Sequence, residues 1–431
     1  MHMNKEILRL AIPNIISNIS VPLLSSVDTA LMGRLSELHI GAVGIGSMIF
    51  NFIYWNFGFL RMGTTGLTAQ AYGARNDGVL AHTLGRALLV VMVVAAGLLL
   101  FQWPFGQASF YLMNTAGEQK ALVAEYFYIR IWAAPATLGL YAFMGWFFGM
   151  QNAIYPLLLT VVINAVNIVL SFYFVQYLGM DVDGAAYGTV AAQYCGLLLA
   201  VGLFYYRYSY LLPHFRQAAL IQWDKLKKFL SINADIFLRT LALTAAFAFF
   251  YSESSAQGDM VLAANTILLQ FLNWMSYGVD GFAFASESLA GKYKGASDGP
   301  KTHRAIRLSF IWGMGLALLF SLGYWFFGTA LLRVFTNQPD VLAAARPLLF
   351  WMALFPLFGT PCYLWDGVFI GLTAARAMRN SMILAFVIFI AAYFATLPLG
   401  NNGLWLTLLL FLFARGGIQH WMYWRRGLEL R

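Results

Sequence analysis

Residues 8–35, LRLAIPNIISNISVPLLSSVDTALMGRL, decide how the rest of the chain is read. The run is longer than the roughly 20 apolar residues a helix needs to cross a bilayer. Yet it carries one carboxylate, Asp28. A charge at that depth costs several kcal/mol unless it is paired, hydrated or neutralised by a proton. An acid kept there is a functional candidate, and it points to a protein that moves protons or cations across the membrane.

The composition agrees. Hydrophobic residues are 60% of the chain and charged residues 10%, with a mean hydropathy of +0.68. A soluble domain needs far more polar surface to cover its core, so the expected class is an all-α integral membrane protein. The net charge of +9 would suggest nucleic acid in a soluble protein, but its distribution gives another explanation. Cys195 and Cys362 lie in apolar segments without metal or disulfide spacing and read as packing residues. No cleavable signal peptide is evident, because the polar prelude is short and the first apolar run can span. There is no GxxxxGK[ST] loop for nucleotide, no catalytic pair and no metal cluster. An enzyme is therefore not expected, nor any bound cofactor.

Apolar stretches recur over 7–34, 40–69, 82–105, 122–150, 155–178, 184–206, 229–252, 260–290, 304–330, 343–371, 377–399 and 402–424. Basic residues divide unevenly between the two sets of connections. Nineteen of the 27 fall on one side, four on the other (Arg34, Lys120, Arg333, Arg346) and four within spans (Arg61, Arg130, Arg239, Arg415). This is the positive-inside pattern with both termini cytoplasmic, which requires an even number of spans. The excess positive charge is then a topology signal, and no nucleic-acid partner is needed to explain it.

The two halves align at a constant offset of 222. Ala42 pairs with Ala264, Asn51 with Asn273, Gly73 with Gly295, Tyr141 with Tyr363, Gly149 with Gly371 and Ala153 with Ala375. Six spans precede the basic stretch 207–228 and six follow it, so both halves enter the membrane from the same side. The expected layout is two parallel six-helix lobes, 1–206 and 229–431, joined by a cytoplasmic linker, 207–228, with a central cavity between them. The offset carries Asp28 onto Phe250, so the acid belongs to the first lobe alone.

Three segments carry a family likeness: PNIISNISVPLLSSVDTALMGRLS (13–36), NAVNIVLSFYFVQYLGMDVDGAAYGTVAAQ (164–193) and WDGVFIGLTAARAMRNSM (365–382). With their V-D-T-A-x-x-G and D-G-x-F-x-G-x-T motifs, they resemble multidrug and toxic compound extrusion (MATE) transporters, most closely the DinF-like branch, over all twelve spans. The resemblance implies a V-shaped pair of lobes that exports amphipathic, often cationic compounds in exchange for protons or sodium ions. By position it makes Asp28 the coupling carboxylate, Asn167 and Thr189 its polar partners, and Pro13 the hinge of the first helix. Many members place a second acid where this chain has Ser171. A site short of one carboxylate is a poorer sodium cage, so protons are the favoured coupling ion.

Asp28, Asn167, Ser171 and Thr189 are thus the expected proton or cation site. A carboxyl in water-poor surroundings holds its proton to higher pH, and protonation releases its grip on a cationic drug. The competing reading of the three neutral residues is ordinary hydrogen bonding between helices. Tyr141, Met144, Phe147 and Phe148 are candidates to line a drug cavity, with packing the favoured alternative. Asp366 is a candidate for substrate contact in the second lobe, or for capping and pairing with Arg376 or Arg379. Arg61 and Arg239 need partners, for which Asp235, Asp280 and Glu287 compete; Arg130 is matched with Glu125 and Glu287 with Lys292.

The expected function is a monomeric secondary antiporter in the cytoplasmic membrane, acting on small amphipathic molecules. A lipid or lipid-linked precursor flippase of related architecture is the alternative. The repeat favours alternating access over a fixed channel.

Overall fold

The computed structural model describes residues 2–32, 37–215 and 217–429, with side chains described throughout these except 21–32, 37, 217 and 218. Among the described residues every regular element is helical. The first half contains α1 (His2–Met32), α2 (Glu37–Asn56), α3 (Phe59–Gly73), α4 (Asp77–Leu100) and α5 (Gln102–Leu112). It continues with α6 (Gly117–Arg130), α7 (Ala134–Gly149), α8 (Ile154–Gln176) and α9 (Val182–Tyr208). A short α10 (Gln217–Leu220) lies in the linker. The second half contains α11 (Trp223–Ala256), α12 (Asp259–Gly295), α13 (Gly299–Phe335), α14 (Pro339–Ala345), α15 (Leu349–Gly371), α16 (Ala375–Thr396) and α17 (Gly400–Arg426).

Several pairs run together as single crossings: α2 with α3, α6 with α7, and α14 with α15. Nine segments among the described residues are long and apolar enough to cross a membrane, and one of them, Ala375–Glu429, holds both α16 and α17. Adding α1 and α12, which are long enough at 31 and 37 residues, gives the twelve crossings expected. At 1.5 Å per residue α12 is about 55 Å long, well beyond a hydrocarbon core of about 30 Å. Its last turns, with Lys292 and Lys294, therefore stand in water, where apolar periodicity says nothing about helicity. The short helices α5 and α10 have no span of their own among the expected crossings.

The chain forms two compact units, one of residues 16–230 and one of 231–431 together with α1 as far as Ile15. Within the second unit, α1 is tied down by Glu6, whose carboxylate accepts from the Tyr293 hydroxyl at 2.6 Å and pairs with Lys292 at 3.4 Å. Asn4 accepts from the Trp312 indole, and Gly281 on α12 lies against Ala11 and Ile15.

The offset of 222 reappears in backbone detail that composition could not supply. Arg75 and Ser297 both end a helix in the left-handed region, at φ 52° and 57°, as do Gln151 and Thr373 at 62° and 54°. Left-handed backbone is costly for residues with a Cβ, so its repetition at matched positions marks one scaffold used twice. The helices that follow are capped alike, by Asn76 accepting from the Val79 N–H and Asp298 accepting from the Lys301 N–H. Packing repeats too: α3 against α7 and α12 against α15, α4 against α7 and α13 against α15, α8 against α9 and α16 against α17.

Two glycines close the matched crossings. A Cβ on Gly145 would strike the backbone of Arg61, and one on Gly367 the backbone of Ala283, again 222 apart. Backbone cannot swing aside as a side chain can, so overpacking should cost about 1–3 kcal/mol. Gly145→Ala and Gly367→Ala should each lower the melting temperature in detergent by roughly 2–10 °C. Gly315→Ala, on α13 with open space around it, should leave it unchanged.

Candidate functional site

In the first unit the polar groups gather on one face of α8. Thr160, Asn164, Asn167 and Ser171 follow one another at helical spacing. Small residues let neighbouring helices come close enough to use them. Gly188, Ala192, Gly196 and Ala200 form a buried stripe on α9, with Gly188 seated on Ser171 and Gly196 on Ile163. At that separation the Asn167 amide donates to the Thr189 hydroxyl at 2.9 Å, and the hydroxyl donates onward to the Ala185 carbonyl at 3.0 Å. The Asn167 Oδ1 and Ser171 Oγ are buried and have no hydrogen-bond partner among the described residues. The α8 side of the α8–α9 interface therefore carries hydrogen-bonding capacity that no described residue uses.

The same face of α8, nearer its start, meets α1. The Ser17 hydroxyl donates to Thr160 Oγ1 at 2.9 Å, and the Asn164 amide donates to the Ser20 hydroxyl at 3.4 Å. Neither contact was singled out from sequence, although the spacing of polar residues along α8 carries the signal. The Asp28 side chain lies outside the described residues, and Pro13 sits within unbroken α1.

The second unit holds its polar groups differently. Asp366, on α15 and 7% exposed, accepts through Oδ2 from Arg239 on α11 and Arg415 on α17. Its Oδ1 accepts from Gln419 Nε2 at 2.7 Å. This corrects the expectation that Asp366 contacts substrate or pairs with Arg376 or Arg379. Both its oxygens are engaged by buried donors, and Arg376 is exposed. Arg379 pairs instead with Asp235 at 2.5 Å. Arg239 and Arg415, separated from Asp366 by long stretches of chain, reach it only because three helices converge.

Other pairings differ as well. Arg130 donates to Ser47 at 3.2 Å and to Tyr126 at 2.5 Å and stacks over Phe50, 5.0 Å from the ring centroid. Glu125 is exposed. Glu287 is buried, and Lys292 is engaged by Glu6. Phe147 is fully buried among Trp146, Tyr155 and Tyr208, so it packs the interior of the first unit and faces no open cavity. Phe148 is also buried, with Arg61 6.0 Å from its ring centroid. Tyr141 and Met144 are part-buried against the same interior. Cys362 is buried as expected, whereas Cys195 is exposed; both are free. Among the described residues no group of three or more His, Cys, Asp or Glu could hold a metal ion.

Removing one partner of a buried ion pair strands the others, at a cost of about 3–5 kcal/mol. Asp366→Ala, which leaves two guanidinium groups facing one another, should sharply reduce the yield of monodisperse protein in detergent. Arg376→Ala, at an exposed position, should not.

The MatE family model matches residues 13–173 and 236–399. The chain is 38% identical over 427 residues to the DNA damage-inducible protein F of Escherichia coli K12, covering 98% of this chain and 92% of that one. A probable multidrug resistance protein NorM of Thermotoga maritima is 21% identical over 96% of this chain and 91% of its own. The fold is shared with a solved MOP superfamily transporter from Pyrococcus furiosus, at a TM-score of 0.88 with 20% identity over 98% of this chain and 96% of that one. A solved MATE in the bent conformation also superposes at 0.88, with 21% identity over 98% and 95%. The chain belongs to the MatE family of multidrug and toxic compound extrusion transporters, in its DinF-like branch.

Proposed function

We propose that this transporter exports small amphipathic cations in exchange for protons, and that Asp28 is the group both compete for. The observation that carries the reading is the register of α1 on α8. Ser17 meets Thr160 and Ser20 meets Asn164. Both helices run the same way, and eleven residues are three turns, about 16 Å. That register, extended by eleven residues, supports pairing position 28 of α1 with position 171 of α8, where Asn167 Oδ1 and Ser171 Oγ have no partner among the described residues.

Those two atoms suit a carboxyl in either state. The neutral acid donates its hydrogen to the Asn167 Oδ1. The anion accepts from the Ser171 hydroxyl and keeps an oxygen for an organic cation. Binding of one ligand dismisses the other, which is the requirement for exchange. In the cytoplasmic membrane, with both termini inside, each proton entering down 100 mV contributes about 2.3 kcal/mol to export. Ser171 in place of an acid leaves the site one charge short for a sodium ion, whose ligands are characteristically several oxygens. A single subunit suffices, since each chain contains both units.

Proteoliposomes loaded with ethidium test this. A pH gradient should drive wild-type efflux, a sodium gradient alone should not, and Asp28→Asn should abolish transport while the protein stays folded. Undiminished transport by Asp28→Asn, or driving by sodium alone, would overturn the reading.

A further inference from the structure

The contacts between α1 and α8 extend well beyond the proposed coupling site, towards the start of α8. From Asn167 the polar face of α8 descends through Asn164 to Thr160, whose hydroxyl donates to the Pro156 carbonyl at 2.9 Å. On α1 the Ser20 hydroxyl donates to the Ser17 carbonyl at 2.7 Å, and Ser17 donates to Thr160. The ladder's lowest rungs are Thr160 and Ser17, in the second turn of α8, whose described helix begins at Ile154. All these side chains are buried or half-buried between helices.

We propose that this ladder (Asn164, Ser20, Thr160 and Ser17) is the route by which a proton leaves the coupling site for the cytoplasm. The inference rests on the proton-coupled reading above. Its physical basis is spacing. Successive rungs on α8 lie three or four residues apart, which is about 4.5–6 Å along the helix. One water making two ordinary hydrogen bonds spans about 5.5 Å. A single water between rungs therefore completes a chain, each water accepting a proton from one side and passing another to the next, with no net chemistry along the way. The groups are amides and hydroxyls, able both to donate and to accept. They carry no charge that would trap the proton, and a wholly apolar face would give the waters nothing to hold.

Plain adhesion between α1 and α8 is the competing role, and kinetics separate the two. Purified full-length protein in proteoliposomes would be assayed for ethidium transport under a pH gradient. Alongside it would be measured the equilibrium binding of ethidium as a function of pH. Asn164→Leu should lower kcat at least tenfold and Thr160→Val three- to tenfold. KM and the pH midpoint of binding should stay unchanged, because the coupling carboxyl is untouched. Thr160→Ser, which keeps the hydroxyl, should match wild type. Thr160→Val is nearly isosteric, so it carries the test if the leucine variant fails to fold.

Wild-type turnover in folded Thr160→Val and Asn164→Leu would overturn the route alone. So would an equal loss in Thr160→Ser, or a shifted pH midpoint, which would make these residues part of the coupling site. A wild type that ignores the pH gradient would overturn the coupling reading and the route together.

Discussion

Hydrocarbon offers a polar group no water to fall back on, and that constraint shapes each half of this molecule. Every polar side chain carried into the membrane must find a partner on another helix or be hydrated within the protein. The second unit engages both Asp366 oxygens, although Arg239 Nε, Arg415 Nε and Nη1 and Gln419 Oε1 beside it have no hydrogen-bond partner among the described residues. Asp366 is satisfied on both oxygens by Arg239, Arg415 and Gln419, which fastens α11, α15 and α17 at one point. In the first unit the Asn167 Oδ1 and Ser171 Oγ have no hydrogen-bond partner among the described residues.

The difference is sharper because the scaffold is the same. Left-handed helix ends at Arg75 and Ser297, caps at Asn76 and Asp298, and glycine crossings at Gly145 and Gly367 recur at one interval. Against that background the departures stand out. The partner position of Asp366 is Met144, and that of Asp28 is Phe250, which packs fully buried on Trp405 with ring centroids 4.8 Å apart. Duplication supplied the helices and their crossings. The polar chemistry was set lobe by lobe.

Much of the architecture was legible because a bilayer reduces folding to a one-dimensional pattern of apolar length and flanking charge. The twelve crossings and the repeat follow from that pattern. Helix ends were less legible: α12 runs on through Lys292 and Lys294 into water, where hydropathy carries no signal, and α5 has no span of its own. The Asn167–Thr189 contact was named from family likeness, whereas Ser17 with Thr160 and Ser20 with Asn164 went unnoticed. A lone serine in an apolar run looks the same whether or not a neighbouring helix presents a partner.

Ion pairing was the least legible of all. Asp366 was matched with basic residues close in sequence, yet its partners stand on α11 and α17, 127 and 49 residues away. By itself the sequence determined that the chain is helical, crosses the membrane repeatedly, is built twice over and carries one carboxylate, Asp28, in its first apolar run. Those properties depend on local hydropathy, charge and periodicity, which each segment expresses alone. Only the tertiary structure decided which buried charges neutralise one another and which polar atoms are left unsatisfied. Both depend on distances between helices remote in the chain, set by where glycine and alanine let backbones touch.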